Sequence, residues 1–321
     1  MKSTPAIRAA TVFDDIQTLD SPSGAALAVR LCRPSGMVRA VVIVSHGLSE
    51  HSGRYAAFAE RLAEDGLATL AYDHRGHGST TAPDAPLRRF ARRNGPSKLL
   101  TDLSAVRAHA GDLFAGAPAI LFGHSLGGLI ALAYAIRHGT DLAGVAAWNT
   151  GVVSGASLAV GQWSLKTERA LKGSDVASRV MARATFEAWA QSIKGRRTEF
   201  DWLSHDPEIV DAYVADPLCG WSPTISMWED VLALNAAVAT GLPSLPADLP
   251  VHLLGGTGDP VTKAGRDVEA LSDRLWRAGS RQTTMRLIRD ARHEALNEPS
   301  TYREPAFDAF LAWLKEICLT D

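Results

Sequence analysis

Cysteine is scarce in this sequence, in which only Cys32, Cys219 and Cys318 occur among 321 residues. Three widely spaced cysteines argue against a disulfide framework and favour a reducing compartment. The chain also lacks a run of about 20 apolar residues, which a membrane-spanning helix needs. No apolar stretch typical of a signal peptide follows the first residues. We therefore expect a cytoplasmic protein, which at times lies peripherally at membranes.

An excess of charge of one sign is lacking as well. The formal net charge is -2, and 33 basic residues are interleaved with 35 acidic ones. Domains that bind nucleic acid usually carry a basic patch or stripe, so no nucleic-acid partner is expected. Hydrophobic residues make up 46% of the chain. This content suffices for one large domain, or for one domain with an insertion.

Short apolar runs alternate with amphipathic stretches along most of the chain. Continuous apolar runs are typical of strands buried on both faces, and their alternation with helices predicts a mainly parallel sheet with helices on both faces. A turn-rich string at 20–24 predicts that the first two strands form a hairpin. The predicted strands are 11–19, 25–32, 40–44, 66–72, 119–122, 142–148, 251–256 and 283–288. The predicted helices are 55–64, 99–114, 129–136, 262–278 and 307–317.

This alternation stops at Asn149 and returns at Val251. The residues between them contain helical pieces and no run typical of a strand, and they hold five of the eight tryptophans. An insertion in the middle of such a sheet is most simply a helical cap over the active face. We predict a core of residues 1–149 and 244–321, with residues 150–243 as the cap.

The hexapeptide 123–128 lies between an apolar strand run and a helical pattern. It reads Gly-His-Ser-Leu-Gly-Gly, which contains the small-x-Ser-x-Gly signature of a nucleophile elbow. In this turn the serine takes a strained conformation that only small neighbours allow, and its hydroxyl stands above the sheet. We predict that Ser125 is a nucleophile and that the backbone N–H of Leu126 can stabilise a negative oxygen.

A serine nucleophile needs a base, and the base needs an acid that orients it. Both are expected after the nucleophile, at strand ends, in the order acid and then histidine. Only His293 lies just beyond a predicted strand; the other histidines after the serine are His138, His205 and His252. Asp259 lies in a glycine-rich loop after a strand and is the predicted acid, although a helix N-cap is its ordinary alternative. Asp230 and Glu229 in the cap are the other candidates.

The second oxyanion donor is expected from the loop that follows the strand 40–44. The residues Ser-His-Gly-Leu at 45–48 form the start of this loop. Gly47 permits a close approach of the backbone to a ligand. We predict that the backbone N–H of Leu48 supplies the donor.

Several histidines lie near this loop in the sequence and raise the question of a metal site. They are His46, His51, His74 and His77. No carboxylate or thiol cluster accompanies them, and none of the usual ligand spacings occurs. We predict neither a metal nor a cofactor.

With these motifs the chain resembles the α/β-hydrolase superfamily and, within it, the branch of monoacylglycerol lipases and lysophospholipase-like serine hydrolases. The strings that carry the resemblance are HGLSEHSGRY at 46–55, YDHRGHG at 72–78, GHSLGG at 123–128, GD at 258–259 and HE at 293–294. The resemblance implies an α/β-hydrolase fold with a mainly parallel eight-stranded sheet and a helical cap. It implies a triad of Ser125, Asp259 and His293, with Leu48 and Leu126 at the oxyanion hole.

The resemblance also implies residues that contact the substrate. Glu50 and Arg54 match positions that hold the glycerol end of the substrate in monoacylglycerol lipases. Leu296 stands where the animal enzymes carry a second histidine. In this part of the sequence, 293–298, the chain resembles the bacterial lysophospholipase-like members.

We therefore predict a serine ester hydrolase, which transfers the acyl group of a carboxylic ester to water without a cofactor. The expected substrate is a monoacyl lipid, either a monoacylglycerol or a lysophospholipid, and the cap is expected to contact a membrane or micelle surface transiently. The same triad would serve a small-molecule carboxylesterase, a thioesterase or an aminopeptidase-like amidase. A catalytically silent ligand-binding protein is disfavoured by the complete set of candidates.

The predicted cap holds the residues on which these alternatives depend. Its apolar side chains line an acyl tunnel or form a small core of the cap. They are Trp163, Trp189, Trp202, Trp221, Trp228, Leu158, Val160, Leu165, Val231, Leu232 and Leu234. An amidase would need acidic cap residues for a free amine. The available ones are Glu168, Glu187, Glu199, Asp201 and Asp206.

Overall fold

A computed structural model describes residue 13 and residues 15–318 of the chain. Eight strands form one sheet. They are β1 (Gln17–Asp20), β2 (Ala26–Cys32), β3 (Ala40–Ser45), β4 (Leu67–Tyr72), β5 (Ala119–His124), β6 (Gly144–Trp148), β7 (Val251–Gly256) and β8 (Thr283–Ile288). The start of the predicted first strand, and the residues on which the signal-peptide prediction depends, lie outside the described residues.

The strands lie in the order β1-β2-β4-β3-β5-β6-β7-β8. The pairs β1–β2 and β2–β4 are antiparallel, and all other neighbours are parallel. The predicted mainly parallel eight-stranded sheet is confirmed. Strands β3 to β7 are buried at every residue, as their continuous apolar runs predict. Because β3 and β5 to β8 are parallel, the loops that follow them meet at one edge of the sheet.

Helices pack on both faces of this sheet. Successive residues of a strand point to opposite faces, so Val41 and Ile43 belong to one apolar core and Val42 and Val44 to another. The first core lies under α2 (Gly95–Leu113), α3 (Leu126–His138), α8 (Ile225–Gly241) and α9 (Arg266–Arg277). The second lies under α1 (Ala56–Glu64) and α10 (Ser300–Cys318). In the described chain the α-helices are α1 (Ala56–Glu64), α2 (Gly95–Leu113), α3 (Leu126–His138), α4 (Ala156–Lys172), α5 (Arg179–Ala182), α6 (Ala188–Ser192), α7 (Pro207–Ala215), α8 (Ile225–Gly241), α9 (Arg266–Arg277) and α10 (Ser300–Cys318).

Most predicted elements are present, and the main errors lie at helix starts. Strand β8 has the predicted bounds, and α2 begins at Gly95 rather than at residue 99. Helix α10 begins at Ser300 rather than at residue 307. Residues 303–305 of its first turns are exposed. Because these turns bury no apolar stripe, the periodic pattern marks only the part of the helix that packs on the sheet.

The inserted segment, residues 150–243, lies between β6 and β7 and contains α4 to α8. Helices α5 and α6 are joined without a break by a π-helical turn, Arg183–Glu187. Among these residues, all of which the structure describes, β pairing is limited to a single bridge between Ala177 and Thr224. The helical character of the segment matches the expectation, while its division from the core as a cap stays a prediction. No helix among the described residues is long and apolar enough to cross a membrane.

Candidate active site

Ser125 lies in the sharp turn between β5 and α3. Its backbone has φ 54° and ψ -115°, a conformation that residues other than glycine rarely adopt. Its N–H donates to the carbonyl oxygen of Trp148 at 2.9 Å. Its own carbonyl oxygen accepts the N–H of Gly128 and the hydroxyl of Thr150, both at 3.0 Å. These bonds hold the strained turn in place at the carboxyl end of β5.

Glycines surround the serine because neighbouring chain segments approach too closely for any side chain. A Cβ at Gly123 would overlap the carbonyl oxygen of Gly127, and a Cβ at Gly127 would overlap the carbonyl oxygen of Ser45. Gly128 is equally close to a threonine side chain just after β6. The elbow therefore packs directly against the end of β3, which is the physical basis of the small residues in the signature.

Asp259 and His293 come from different loops and meet through a hydrogen bond. Asp259 follows β7 and His293 follows β8, and Nδ1 of the ring lies 3.0 Å from Oδ2 of the carboxylate. The same oxygen accepts the amide of Asn149 at 3.0 Å and the hydroxyl of Thr262 at 2.7 Å. An ionised carboxylate only accepts hydrogen bonds, so Nδ1 carries the proton. A neutral ring then has its lone pair on Nε2, as a general base requires.

The carboxylate of Asp259 is held in its ionised form. Burial alone would raise its pKa, because the residue is fully buried. The charge and hydrogen bond of His293 outweigh burial, with help from the hydrogen bonds of Asn149 and Thr262. The pKa of Asp259 therefore lies below its ordinary value, and the group stays negative at neutral pH.

Two backbone N–H groups lie beside the serine. Leu126 is the first residue of α3, and Leu48 lies in the loop that follows β3. Both residues line the same cavity as Ser125. Within residues 15–318, neither N–H has a hydrogen-bond acceptor. Free donors of this kind, one of them at a helix N-terminus, can stabilise a negatively charged oxygen.

Ser125 and His293 line one cavity without a hydrogen bond between them. In the described part of the chain, Oγ of Ser125 has no hydrogen-bond partner. Such bonds are often long in enzymes without substrate and tighten when substrate binds. In the structure Asp259 and His293 are thus in direct contact, and Ser125 lines the same cavity as His293.

The cavity has a volume of about 240 Å³ and lies between the sheet edge and the inserted segment. Its polar wall comes from the loops after the strands and includes Glu50, His124 and Asn149. Its opposite wall is mostly apolar. That wall contains Met181, Phe186, Trp189, Trp202, Leu203, Trp228, Val231 and Leu232. An apolar pocket with a few convergent polar groups is typical of a small-molecule site.

The apolar residues singled out in the inserted segment separate into three groups. Those that line the cavity are Trp189, Trp202, Trp228, Val231 and Leu232. Those buried away from the cavity are Leu165, Trp221 and Leu234. Leu158 is half-buried, whereas Val160 and Trp163 are 63% and 69% exposed. Both expected roles, cavity wall and internal core, therefore occur, and a third set of residues lies at the surface.

Glu50 and Arg54 belong to a buried network of charges. Glu50 lines the cavity, whereas Arg54 is not among the lining residues. Nη1 of Arg54 donates to Oε2 of Glu50 at 2.8 Å, and Nη2 donates to Oε2 of Glu294 at 2.7 Å. The ring of Tyr213 covers the guanidinium, with Cζ 4.8 Å from the ring centroid. Arg54 thus binds two carboxylates beneath the inserted segment instead of facing the cavity.

Glu50 also holds the loop that carries Leu48. Its Oε1 accepts the N–H of Gly47 at 2.5 Å and the hydroxyl of Tyr55 at 3.0 Å. Burial alone would raise the pKa of Glu50. The hydrogen bond of His124 and the charge of Arg54 outweigh burial and hold this pKa well below its ordinary value. Glu50 is therefore an anion that accepts hydrogen bonds from several directions.

Ser49 ties the same loop to the inserted segment. Its backbone has φ 61°, and its carbonyl oxygen accepts the N–H of Gly220 and the hydroxyl of Tyr213, both at 3.0 Å. Its hydroxyl donates to the carbonyl oxygen of Trp221 at 2.8 Å. One residue therefore links the loop after β3 to residues 213–221 through three hydrogen bonds.

Sequence reasoning missed Asn149, Thr262 and His124. Asn149 follows β6 at the same sheet edge as the other site residues, has φ 49° and donates to Asp259. Its place at the end of a central parallel strand was a signal that could have found it. Thr262 lies three residues after the predicted acid, and His124 immediately precedes the predicted nucleophile. Only the folded loops show which atoms these two side chains contact.

Three of the four histidines that raised the question of a metal site form a buried cluster. The ring of His46 lies 4.0 Å from that of His74 and 5.1 Å from that of His77, centroid to centroid. Burial, reinforced by the neighbouring rings, lowers the pKa of His46 and of His77 to about 3, and that of His74 well below its ordinary value. All three rings are neutral packing groups at neutral pH.

Side chains of metal-ligand type come together at His51, Asp216 and Cys219 in the part of the chain that the structure describes. Nδ1 of His51 accepts the N–H of Gly53 at 3.2 Å, so Nε2 carries the proton and donates to Asp216 at 2.9 Å. In this tautomer Nε2 has no lone pair for a metal. The contact is a further hydrogen bond between the loop after β3 and the inserted segment.

The profile of the protein family described as "Serine aminopeptidase, S33" matches residues 36–300 of the chain. This region includes the elbow and the loops of Asp259 and His293. It covers most of the chain, from the strand that precedes the candidate oxyanion loop to the start of the last helix.

Two curated relatives and one solved structure are similar over nearly the whole chain. A monoacylglycerol lipase of Mycolicibacterium smegmatis is 27% identical over 283 residues, which are 86% of this chain and 88% of the relative. Human monoglyceride lipase is 25% identical over 312 residues, 95% of this chain and 91% of the relative. A thermostable carboxyl esterase of Bacillus coagulans, solved in complex with glycerol, superposes with a TM-score of 0.84 at 23% identity and covers 95% of this chain and 98% of its own. At that identity, the likeness shows a shared fold.

Proposed function

This chain belongs to the family of α/β-hydrolases described as serine aminopeptidase S33, and from that membership we propose that it is a serine hydrolase of monoacyl lipids. Within the family it lies in the monoglyceride lipase branch, and it is a hydrolase of the esterase and lipase type. The proposed reaction is cleavage of the carboxylic ester of a monoacylglycerol or a lysophospholipid. The proposed path runs through an acyl-enzyme.

One observation carries the proposal. His293, which is paired with Asp259, borders one cavity together with the hydroxyl of Ser125 and the N–H groups of Leu48 and Leu126. Within residues 15–318, this hydroxyl and these two N–H groups have no hydrogen-bond partner. These are the groups that acyl transfer needs: a nucleophile, an oriented base and two donors for the negative oxygen. These groups come from the segments that follow four strands, β3, β5, β7 and β8, so their meeting is a property of the fold.

In the proposed reaction, Oγ of Ser125 attacks the ester carbonyl carbon while Nε2 of His293 takes the hydroxyl proton. Asp259 keeps the ring in the correct tautomer and stabilises the imidazolium. The N–H groups of Leu48 and Leu126 receive the oxyanion. His293 then gives its proton to the leaving alcohol, which breaks the ester bond. A water molecule repeats the sequence on the acyl-enzyme, releases the fatty acid and restores Ser125.

The shape and chemistry of the cavity support a monoacyl lipid as the substrate. Its wall from the inserted segment presents Met181, Phe186 and Trp228, side chains that suit an acyl chain and offer little to a polar substituent. Its opposite wall presents Glu50, an acceptor for the hydroxyls of a glycerol or phosphoglycerol group. Arg54 fixes this carboxylate from behind and belongs to the proposed polar subsite through Glu50 rather than by direct contact.

The inserted segment, residues 150–243, is the proposed cap, and α4 is its proposed membrane-facing helix. Three apolar side chains of α4 point outward: Val160, Trp163 and Leu171 are 63%, 69% and 80% exposed. Arg169 and Lys172 lie on the same helix. The exposed apolar face of α4 suits transient contact with a micelle or membrane. The proposed location is the cytoplasm, with peripheral contact at membranes.

An aminopeptidase-like amidase is the alternative that the family description raises. Such an enzyme needs an acidic group of the cap close to the free amine. The five acidic residues considered for this role, Glu168, Glu187, Glu199, Asp201 and Asp206, do not line the cavity. Glu168 instead binds Ser178 and Lys172, and Asp206 caps α7. The arrangement favours ester cleavage over aminopeptidase activity.

The proposal is tested by a substrate panel with the wild-type chain and Ser125→Ala. The panel contains monoacylglycerols, lysophospholipids, short p-nitrophenyl esters, acyl thioesters and aminoacyl amides, at equal concentration. We expect monoacyl lipids to be the best substrates of the wild type. Ser125→Ala should lose about 10⁴-fold or more in kcat because only the oxyanion donors and binding remain. Ser104→Ala, whose hydroxyl bonds within α2, is the matched control.

Three results would contradict parts of this proposal. Undiminished turnover by Ser125→Ala would remove the assigned nucleophile. A wild-type chain that does not react with a fluorophosphonate probe would be a ligand-binding protein of this fold rather than a serine hydrolase. A preference for short soluble esters or aminoacyl amides over monoacyl lipids would contradict the substrate class while leaving the serine chemistry in place.

A further inference from the structure

His124 lies between three loops that the proposed reaction must keep in register. It immediately precedes Ser125 in the elbow, and it is 7% exposed. Its Nε2 lies 3.0 Å from the carbonyl oxygen of His293, in the loop of the base. Its Nδ1 lies 3.4 Å from Oε1 of Glu50, the oxygen that also accepts the N–H of Gly47. One ring therefore contacts the base loop directly and the oxyanion loop through Glu50.

Both partners of the His124 ring can only accept hydrogen bonds. A main-chain carbonyl oxygen has no proton to give, and neither has an ionised carboxylate. Glu50 is ionised, since it accepts hydrogen bonds from Gly47, Tyr55 and Arg54. A neutral imidazole has a single N–H, so it would turn one lone pair towards an acceptor. The two contacts together favour a doubly protonated ring.

The balance of buried charge leads to the same protonation state. His124, Glu50, Arg54 and Glu294 form a chain of contacts in which cation and anion alternate. With a charged His124 the chain has two positive and two negative members. With a neutral ring one buried negative charge is left without compensation, which is costly.

The surroundings of the ring act on its pKa in opposite directions. Burial alone would lower the pKa of His124, but the hydrogen bond and charge of Glu50, the charge of Glu294 and the carbonyl oxygen of His293 raise it above its ordinary value. The titratable and charged groups around the ring of His124 and its partner Glu50 come from all elements packed against them. Besides Glu50 itself, they are His46, Arg54, Tyr55, His293 and Glu294.

We propose that His124 is a positioning residue that works as a cation, tying the main chain of His293 to Glu50 and, through Glu50, to the oxyanion loop at Gly47. The inference rests on the proposed function. Although the ring lines the cavity, both of its nitrogens are occupied by protein acceptors, so it acts through other residues. Its loss should let the base and the oxyanion donors drift relative to Ser125, which lowers kcat rather than substrate affinity.

The kinetic test compares His124→Leu, which removes both donors, with His124→Gln, which keeps one. With p-nitrophenyl butyrate we expect His124→Leu to lower kcat about 10- to 100-fold with KM within about twofold, as for other residues that orient a catalytic group. His124→Gln should recover part of the loss. His138→Gln, at the end of α3, where the ring contacts Tyr134, is the matched control. An unchanged kcat, or a rise in KM alone, would overturn the proposal.

The pH profile adds a readout that a simple packing role would not change. The contacts of His124 with His293 and Glu50 need a charged ring. Wild-type kcat should therefore fall at alkaline pH, where the ring loses its second proton. This alkaline limb of the pH profile should vanish in His124→Gln. Glu50→Gln keeps an oxygen acceptor but removes the charge that holds the proton. It should therefore move the alkaline limb to lower pH by about one unit. Should His124→Leu fail to fold, this variant still decides the question, since an unmoved limb contradicts the proposal.

A measurement on the resting protein separates this inference from the proposed function. In a chain labelled with ¹⁵N-histidine, NMR at about pH 7.5 should show one ring with both nitrogens protonated, and its signals should be lost in His124→Gln. A neutral tautomer at His124 contradicts the inference even when the enzyme is active. A doubly protonated His124 in a chain that hydrolyses nothing in the panel contradicts the proposed function instead.

Discussion

The loops at the sheet edge and the inserted segment build opposite walls of one cavity by different means. The loops are joined by directional hydrogen bonds, such as those of Asp259 with His293 and Asn149. The inserted segment contributes mainly apolar contacts, such as those of Phe186 and Trp228. Directional bonds fix individual atoms, whereas apolar burial fixes only volume and surface. Changes in the loops should therefore alter the rate of the chemistry, and changes in the insertion should alter which acyl chains are accepted.

The largest expected effect is that of Asp259→Asn, which changes the loops without changing their size. An asparagine turns an amide donor towards Nδ1 of His293 and favours the wrong tautomer of the ring. We expect kcat to fall about 10⁴-fold, as for a triad aspartate replaced in this way. Turnover of a p-nitrophenyl ester measures the loss, with Asp112→Asn on the exposed side of α2 as the control. A kcat near the wild-type value would contradict the role of Asp259.

A second variant tests whether the elbow depends on close backbone packing. In Gly127→Ala the new methyl group would overlap the carbonyl oxygen of Ser45, at the end of a buried strand that cannot move easily. We expect the free energy of unfolding to drop by about 3 kcal/mol or more. Urea denaturation provides the measurement. Gly36→Ala, which meets nothing within 4 Å, should have little effect.

Acid should destabilise the loop side of the molecule through its buried histidines. The pKa of His46 and of His77 is about 3 in the folded chain, against an ordinary value of 6.5. The unfolded chain therefore binds protons that the native chain refuses. The stabilisation that comes from keeping these two rings neutral is complete above about pH 6.5 and is lost as the pH falls towards 3. At pH 5 the expected loss is about 2 kcal/mol for each of these histidines.

Denaturation with urea at about pH 7.5 and at pH 5 measures this effect. His77→Gln should reduce the pH dependence of the unfolding free energy by about one proton. Ser104→Ala, which removes no titratable group, should not change it. Equal stability of the wild type at both pH values would show that the buried rings do not resist protonation.

The smallest expected effect belongs to the apolar wall. Trp189→Ala should lower kcat/KM for a medium-chain p-nitrophenyl ester about tenfold relative to the acetyl ester, because one large apolar contact is lost. Trp163→Ala is the matched control, since Trp163 is 69% exposed and outside the cavity. Equal losses with both esters would show that the apolar wall also supports the chemistry.

The two regions also differ in how far the sequence predicts them. In the loops, a motif and a strand end coincide, so the positions of Ser125, Asp259 and His293 at the sheet edge could be predicted from local patterns. Asn149 satisfies the same rule and could have been predicted too. The unusual backbone of Ser125 follows from its small neighbours, which are visible in the sequence.

Contacts between distant segments could not be predicted in this way. Arg54 is one example, because its guanidinium binds Glu294, which lies 240 residues further along the chain. The helical character of the inserted segment could be predicted, but the direction of each tryptophan could not. Trp163 and Trp189 both lie in helical segments, and only the packing of those segments places one at the surface and the other at the cavity.

The bonds of Ser49 restrict which part of the inserted segment can move relative to the loops at the sheet edge. The N–H groups of His293 and Glu294 also donate to the carbonyl oxygens of Trp202 and Leu203. Together these bonds join residues 202–203 and 213–221 of the inserted segment to the loops that follow β3 and β8. Residues 180–192 differ, because all their hydrogen bonds in the described chain close within residues 178–193. We therefore expect residues 180–192, which only apolar contacts hold against the rest of the insertion, to move more easily than the parts of the insertion that are hydrogen-bonded to the loops at the sheet edge.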